Sequence, residues 1–217
     1  MIRAIARRWP YLRPFLPAAV LAASWSACTQ GEGPLVAFLG DSLTSGWRLR
    51  EQDAYPALVA RALAQRGRPI RVVNAGKSGD TVGQGLARLP AVLRLRPAVI
   101  VVALGINAAL RGLPAAEAED ALRRILDAVE AGGARPLLVG FRAPRGSSDP
   151  QLRAFEAVYA RLAAERRLAF VPDLLDGVAG RPELLFADGL HPNAAGQQRL
   201  AANVARPIEL VLAEIRD

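Results

Sequence analysis

His191 is the only histidine and Cys28 the only cysteine in this chain of 217 residues. Imidazole is the side chain whose ordinary titration falls near neutral pH, so histidine-based proton transfer here must run through His191. With so few soft ligands the sequence offers no zinc site, and one thiol cannot close an intrachain disulfide. The residue types of acyl transfer are nevertheless present. A serine hydroxyl is a weak nucleophile until a base lies within hydrogen-bond reach, and Ser42 stands in the turn Gly40-Asp41-Ser42 directly after an apolar run. Asp188 lies three residues before His191, close enough for one loop to place a carboxylate against the imidazole and hold its tautomer. The Ser42 N–H, the Gly79 N–H and the Asn107 side-chain amide are candidate donors for a tetrahedral oxyanion, and Gly79 leaves room for close backbone approach.

Each of these residues also has a plainer reading. His191 with Pro192 and Asn193 suits a helix start, Asp188 a turn, and Asn107 the end of a strand. Asp41 reads as a brace of the serine turn. Asp173 is a rival for the acid role, although it is more remote from His191 in sequence. Two phosphate-binding patterns fail. Arg71 stands where a P-loop ending at Gly76-Lys77-Ser78 needs its first glycine, and Arg88 stands where a fingerprint opening at Gly83-Gln84-Gly85 needs glycine or alanine.

The elements that must position these groups can be read from periodicity. Apolar runs at 35–39, 70–74, 98–104, 136–141 and 168–171 read as strands. Amphipathic or capped stretches at 54–65, 81–95, 114–131, 151–166 and 194–216 read as helices, with a break expected at Pro90 and a kink at Pro207. Five strands alternating with five helices predict one α/β domain, a three-layer α/β/α sandwich around a five-stranded parallel sheet. In such a sheet all strand C-termini share one edge, where ligands bind. The turns at Gly40-Asp41-Ser42, 76–79 and Gly105-Ile106-Asn107 should therefore meet there, joined by the segment Asp188-Gly189-Leu190-His191-Pro192. That convergence carries the functional argument. Leu110, Leu113 and Phe141 are candidate walls of an apolar acyl pocket between the loops.

The net charge is +8, of which Arg3, Arg7, Arg8 and Arg13 supply half. The other arginines are scattered among acidic residues, which argues for a solvated surface and against a nucleic-acid footprint. The basic start, the apolar stretch 15–23 and the small residues before Cys28 form a signal-peptide pattern, too short to span a bilayer comfortably. Residues 1–28 are thus expected to direct export to the periplasm or cell envelope. Cys28, placed like the cysteine of a bacterial lipobox, is a candidate lipid attachment point, and Trp25 stands where that motif usually has leucine. Residues 29–34 read as a linker and 35–217 as the folded domain.

Gly40-Asp41-Ser42-Leu43-Thr44 resembles the first block of the GDSL, or SGNH, hydrolase family, and Gly79, Asn107 and His191 follow in the order of its remaining blocks. The stretches 55–58 and 74–81 are similar to the branch containing bacterial arylesterases and acyl-CoA thioesterase I/lysophospholipase L1. The resemblance covers about residues 35–214. It implies a flavodoxin-like fold and a serine esterase acting without metal or cofactor on a small-molecule ester, thioester or lysophospholipid. It further implies Ser42 as nucleophile, His191 as base and Asp188 as acid, with Ser42, Gly79 and Asn107 as the oxyanion hole. One departure is that Ala108 occupies the place where the family's third block has an aspartate that helps fix the loop. A carbohydrate O-acetyl esterase would use the same residues. A binding module that kept the fold without catalysis is the alternative that Ala108 favours.

Overall fold

The computed structural model describes residues 33–143 and 148–215; the expected signal segment and Cys28 lie outside them. Five strands, β1 (Leu35–Gly40), β2 (Arg71–Gly76), β3 (Val99–Ala103), β4 (Arg135–Val139) and β5 (Ala169–Val171), form one parallel sheet in the order β2-β1-β3-β4-β5. The α/β/α expectation is borne out. Every residue of β3 is buried, as a strand covered on both faces requires. Alternate residues face opposite ways: Val36 and Phe38 enter one apolar layer, Ala37 and Leu39 the other.

The strand order explains the two layers. After β1 the chain crosses to β2 through α2 (Tyr55–Gln65), then reverses direction and reaches β3 through α3 (Val82–Leu93). Right-handed crossovers running in opposite directions place their helices on opposite faces. α5 (Ala115–Ala131) and α6 (Pro150–Arg166) continue the second direction and share the face of α3, whereas α7 (Ala194–Glu214) returns to the face of α2 and packs against it. The reversal occurs at β1, so a crevice opens at its C-terminal end, where Ser42 lies.

Three details differ from the periodicity reading. Two one-turn helices were not anticipated: α1 (Ser42–Ser45), which is the serine turn itself, and α4 (Ile106–Leu110), which follows β3 directly. Pro90 does not break α3, because Leu89 and Val92 on either side of it are fully buried and hold the last turn in place. Pro207 lies inside α7, flanked by buried Ala205 and Ile208.

Candidate active site

Ser42 is the first residue of α1, and the local sequence explains its pose. Asp41 caps the turn, its Oδ1 accepting from Leu43 N at 3.0 Å, and Gly46 closes it in the left-handed conformation. Gly40 is required beneath the turn, since a Cβ there would stand 1.9 Å from Thr44 Oγ1. The turn is tied sideways as well. Thr44 Oγ1 pairs with Tyr55 Oη at 3.0 Å, and Asn74 Nδ2 donates to Thr44 O at 3.0 Å.

His191 reaches Ser42 from the other end of the chain. Residues 185–192 form a tight excursion closed by a bridge between Leu185 and Pro192, with Phe186 N donating to His191 O at 2.8 Å. Asn193 secures the base of the excursion. Its Nδ2 donates to Glu183 O and Leu185 O, while its Oδ1 caps α7 by accepting from Ala195 and Gly196 N–H. Gln197, buried one turn into α7, accepts from Tyr55 N at 2.7 Å and donates to Leu43 O at 3.1 Å. This locks the start of α7 to the serine turn. The helix-start role anticipated for this segment belongs to Asn193, which leaves the His191 imidazole free for Ser42.

The imidazole bridges the two groups expected of it. Its Nε2 lies 3.0 Å from Ser42 Oγ and its Nδ1 2.9 Å from Asp188 Oδ2. Asp188 Oδ1 accepts from the N–H groups of Leu190 and His191 at 2.9 and 3.0 Å. Those two backbone donors, followed by the imidazole, hold the Asp188 carboxyl down at a pKa of about 2. Asp188 is thus an anion throughout the neutral range, an acceptor that favours the tautomer with its proton on Nδ1. Asp173 makes no such contact: its Oδ1 accepts from Leu175 N at 2.9 Å, and partial burial raises its pKa.

The expected oxyanion donors come from three separate elements. The Ser42 N–H belongs to α1. Gly79 follows β2 with φ of +82°, a conformation an L side chain rarely adopts. Asn107 lies in the first turn of α4, and its Nδ2 donates to Asp41 Oδ2 at 3.2 Å and to Asp80 O at 3.1 Å. Both of its N–H groups are therefore engaged at rest, and one must turn to meet an oxyanion. Ala108 is 3 % exposed and packs in the core, so Asn107 is held by Asp41 and the Asp80 carbonyl without a side-chain carboxylate at 108. Asp41 is 1 % exposed, and burial pushes its pKa up to about 7. The cause is visible in the small apolar hollow of about 20 Å³ that it borders with Leu43, Leu104, Ile106, Val139 and Phe141.

Of the three candidate wall residues, only Phe141 borders this hollow, its ring packed beside Phe155 and Tyr159. Leu110 and Leu113 are exposed, at 56 % and 37 %.

Two positioning residues escaped the sequence reading. The Trp47 ring stacks on the His191 imidazole, centroids 4.2 Å apart and planes 25° from parallel, and meets the Phe186 edge at 5.9 Å. The Arg48 guanidinium lies over the same indole at 4.4 Å. Arg88, in α3, donates to Asp80 Oδ2, to Gly40 O at 2.6 Å and to Ala75 O, joining the ends of β1 and β2 to the loop that carries Gly79. The only signal for either was an aromatic or a cation at an otherwise unremarked spacing.

Comparison with known proteins finds relatives of the whole domain. A model described as the GDSL-like lipase/acylhydrolase family matches residues 38–199. Esterase TesA of Pseudomonas aeruginosa is 41% identical over 167 residues, which cover 76% of this chain and 83% of that protein. Thioesterase 1/protease 1/lysophospholipase L1 of Escherichia coli K12 is 39% identical over 172 residues, 79% of this chain and 81% of the relative. A crystal structure of TesA superposes with a TM-score of 0.77 at 38% identity, covering 82% of this chain and 99% of that one.

Proposed function

The chain belongs to the GDSL-like lipase/acylhydrolase family and is a carboxylic ester hydrolase, and on that premise we propose that Ser42, His191 and Asp188 form its catalytic triad. The observation that carries this reading is the continuous relay from Asp188 Oδ2 through both imidazole nitrogens to Ser42 Oγ, with contacts of 2.9 and 3.0 Å. Ser42 Oγ attacks the acyl carbon as His191 Nε2 takes its proton, and Asp188 stabilises the imidazolium that results. The oxyanion is received by the N–H groups of Ser42 and Gly79 and by Asn107, which turns one N–H away from its resting partners. His191 then protonates the departing alcohol or thiol. Water, activated by the same imidazole, attacks the acyl-enzyme and releases the acid and free Ser42. No metal or cofactor enters these steps.

The substrate is a soluble small-molecule ester or thioester. The acyl chain enters towards the apolar hollow bordered by Phe141, and the exposed Leu110 and Leu113 form an outer apolar rim. Residues 1–28 serve as the export signal to the cell envelope, either cleaved simply or processed with lipid attachment at Cys28. No helix among the described residues is long and apolar enough to cross a membrane. The test is hydrolysis of p-nitrophenyl esters and acyl thioesters of increasing chain length by the protein and by Ser42→Ala. The expected outcome is turnover that falls by at least about 10³-fold in the variant. Equal rates in the two proteins would reject the assignment.

A further inference from the structure

The edge of the sheet opposite the site, where the strands begin, brings together arginines that are scattered along the sequence. The turns that lead from helices into strands supply Arg68 and Arg71 before and at β2, Arg94 and Arg96 before β3, Arg135 at the start of β4, and Arg166 and Arg167 before β5. Some of this charge is neutralised locally. Arg135 pairs with Glu214 at 3.0 Å, Arg166 with Asp127 at 2.6 Å and Glu130 at 3.4 Å, and the neighbouring Arg66 with Glu209 at 3.3 Å. Arg68, Arg94, Arg96 and Arg167 are exposed and have no carboxylate partner among the described residues. Arg71 uses only the Gly33 carbonyl.

Several of these cations border adjoining depressions. Arg71, Arg96 and Arg135 border one hollow of about 680 Å³ with Pro34 and Ile215. Arg135 and Glu214 also border the next hollow, with Arg167 and Leu210. Large apolar side chains project among the cations: Leu95 is 45 % exposed, Leu210 49 % and Ile215 43 %. The remaining exposed large apolar residues, Leu110, Leu113 and Leu190, belong to the catalytic edge. A face that mixes unpaired guanidinium groups with projecting leucine and isoleucine suits the boundary between anionic headgroups and acyl chains.

The chain itself points to the occupant. The described residues begin at this edge, where Gly33 and Pro34 lead into β1 at Leu35. Cys28 is separated from Leu35 by only six residues, at most about 25 Å of extended backbone. We propose that this arginine-rich edge docks on the surface of an anionic phospholipid bilayer, with the active site turned away from it. The proposal goes beyond the esterase reading and draws on it only for the envelope location. It has a functional consequence: the catalytic edge faces the aqueous side, so substrate arrives from solution and not from the leaflet on which the protein rests.

The experiment is partition of the protein, as isolated from cells, onto vesicles of phosphatidylcholine alone or with about one third phosphatidylglycerol. Each arginine near an anionic surface contributes roughly fivefold. Four such arginines should contribute roughly 600-fold to the preference of wild type for the anionic vesicles at 0.1 M salt, most of it lost at 0.5 M. The combined variant Arg68→Gln, Arg94→Gln, Arg96→Gln and Arg167→Gln should lose all but roughly the fivefold share that Arg71 retains, while hydrolysing a soluble ester at the wild-type rate. A Cys28→Ser protein tests the anchor separately and should keep the anionic preference. No preference in wild type, an unchanged preference in the fourfold variant, or its loss with Cys28→Ser would overturn the docking surface. None of these results bears on Ser42.

Discussion

Asp41→Asn should make this protein more stable and slower, and both effects can be worked from the site. Burial lifts the Asp41 pKa from 3.8 to about 7. Between those values the unfolded chain has released the proton and the folded protein retains it, so stability falls as pH rises. Below about pH 4 both states hold the proton and burial of this group costs nothing extra. Above about pH 7 the full penalty applies, roughly 4 kcal/mol at 1.36 kcal/mol per pH unit. Asparagine keeps an acceptor for Leu43 N, so the cap on α1 survives. It replaces the Oδ2 that receives Asn107 at 3.2 Å with an NH₂ group, which sets donor against donor. Urea unfolding of both proteins at pH 4, 6 and 8 should show the variant gaining on wild type by about 4 kcal/mol across the series. At pH 8 its kcat should fall by at least tenfold, bounded by the roughly 10²–10³ that one oxyanion donor is worth. Unfolding curves that stay parallel across the pH series would refute the buried-carboxyl argument, and an unchanged kcat would refute the link from Asp41 to Asn107.

Trp47→Leu should lower kcat roughly 3- to 30-fold through loss of the stacked imidazolium, leave KM nearly unchanged, and be largely rescued by Trp47→Phe; steady-state kinetics on one ester reads all three. Arg88→Met leaves the Asp80 carboxylate buried without its cation and strips the donors from Gly40 O and Ala75 O. Its cost should be about 3–5 kcal/mol in the free energy of urea unfolding at pH 7.

The sheet was legible because β1 and β3 are buried on both faces and so read as uninterrupted apolar runs, bounded by Gly40 and by Pro97 and Gly105. α1 and α4 were not legible, because one turn of helix is too short for a 3.6-residue period to register. Pro90 misled for the opposite reason, since tertiary packing of its neighbours outweighs a local penalty. At the site, Ser42, Asp188 and His191 were readable from residue type, order and the shared strand edge. The contacts that give them their distances were not. Gln197 reaches Tyr55 and Leu43 across 142 and 154 residues, Trp47 reaches His191 across the whole fold, and no local pattern encodes either. The resting hold of Asp41 and Asp80 on Asn107 belongs to the same class. It explains how the loop keeps its place with alanine at 108.

The central claim is that His191, guided by Asp188, makes Ser42 a nucleophile. Mass spectrometry of the folded protein after treatment with a fluorophosphonate reads that directly. The account predicts one adduct, mapped to Ser42, absent from Ser42→Ala and formed at least about 10²-fold more slowly in His191→Ala. Labelling elsewhere, or labelling of Ser42 at the same rate without the imidazole, would contradict it.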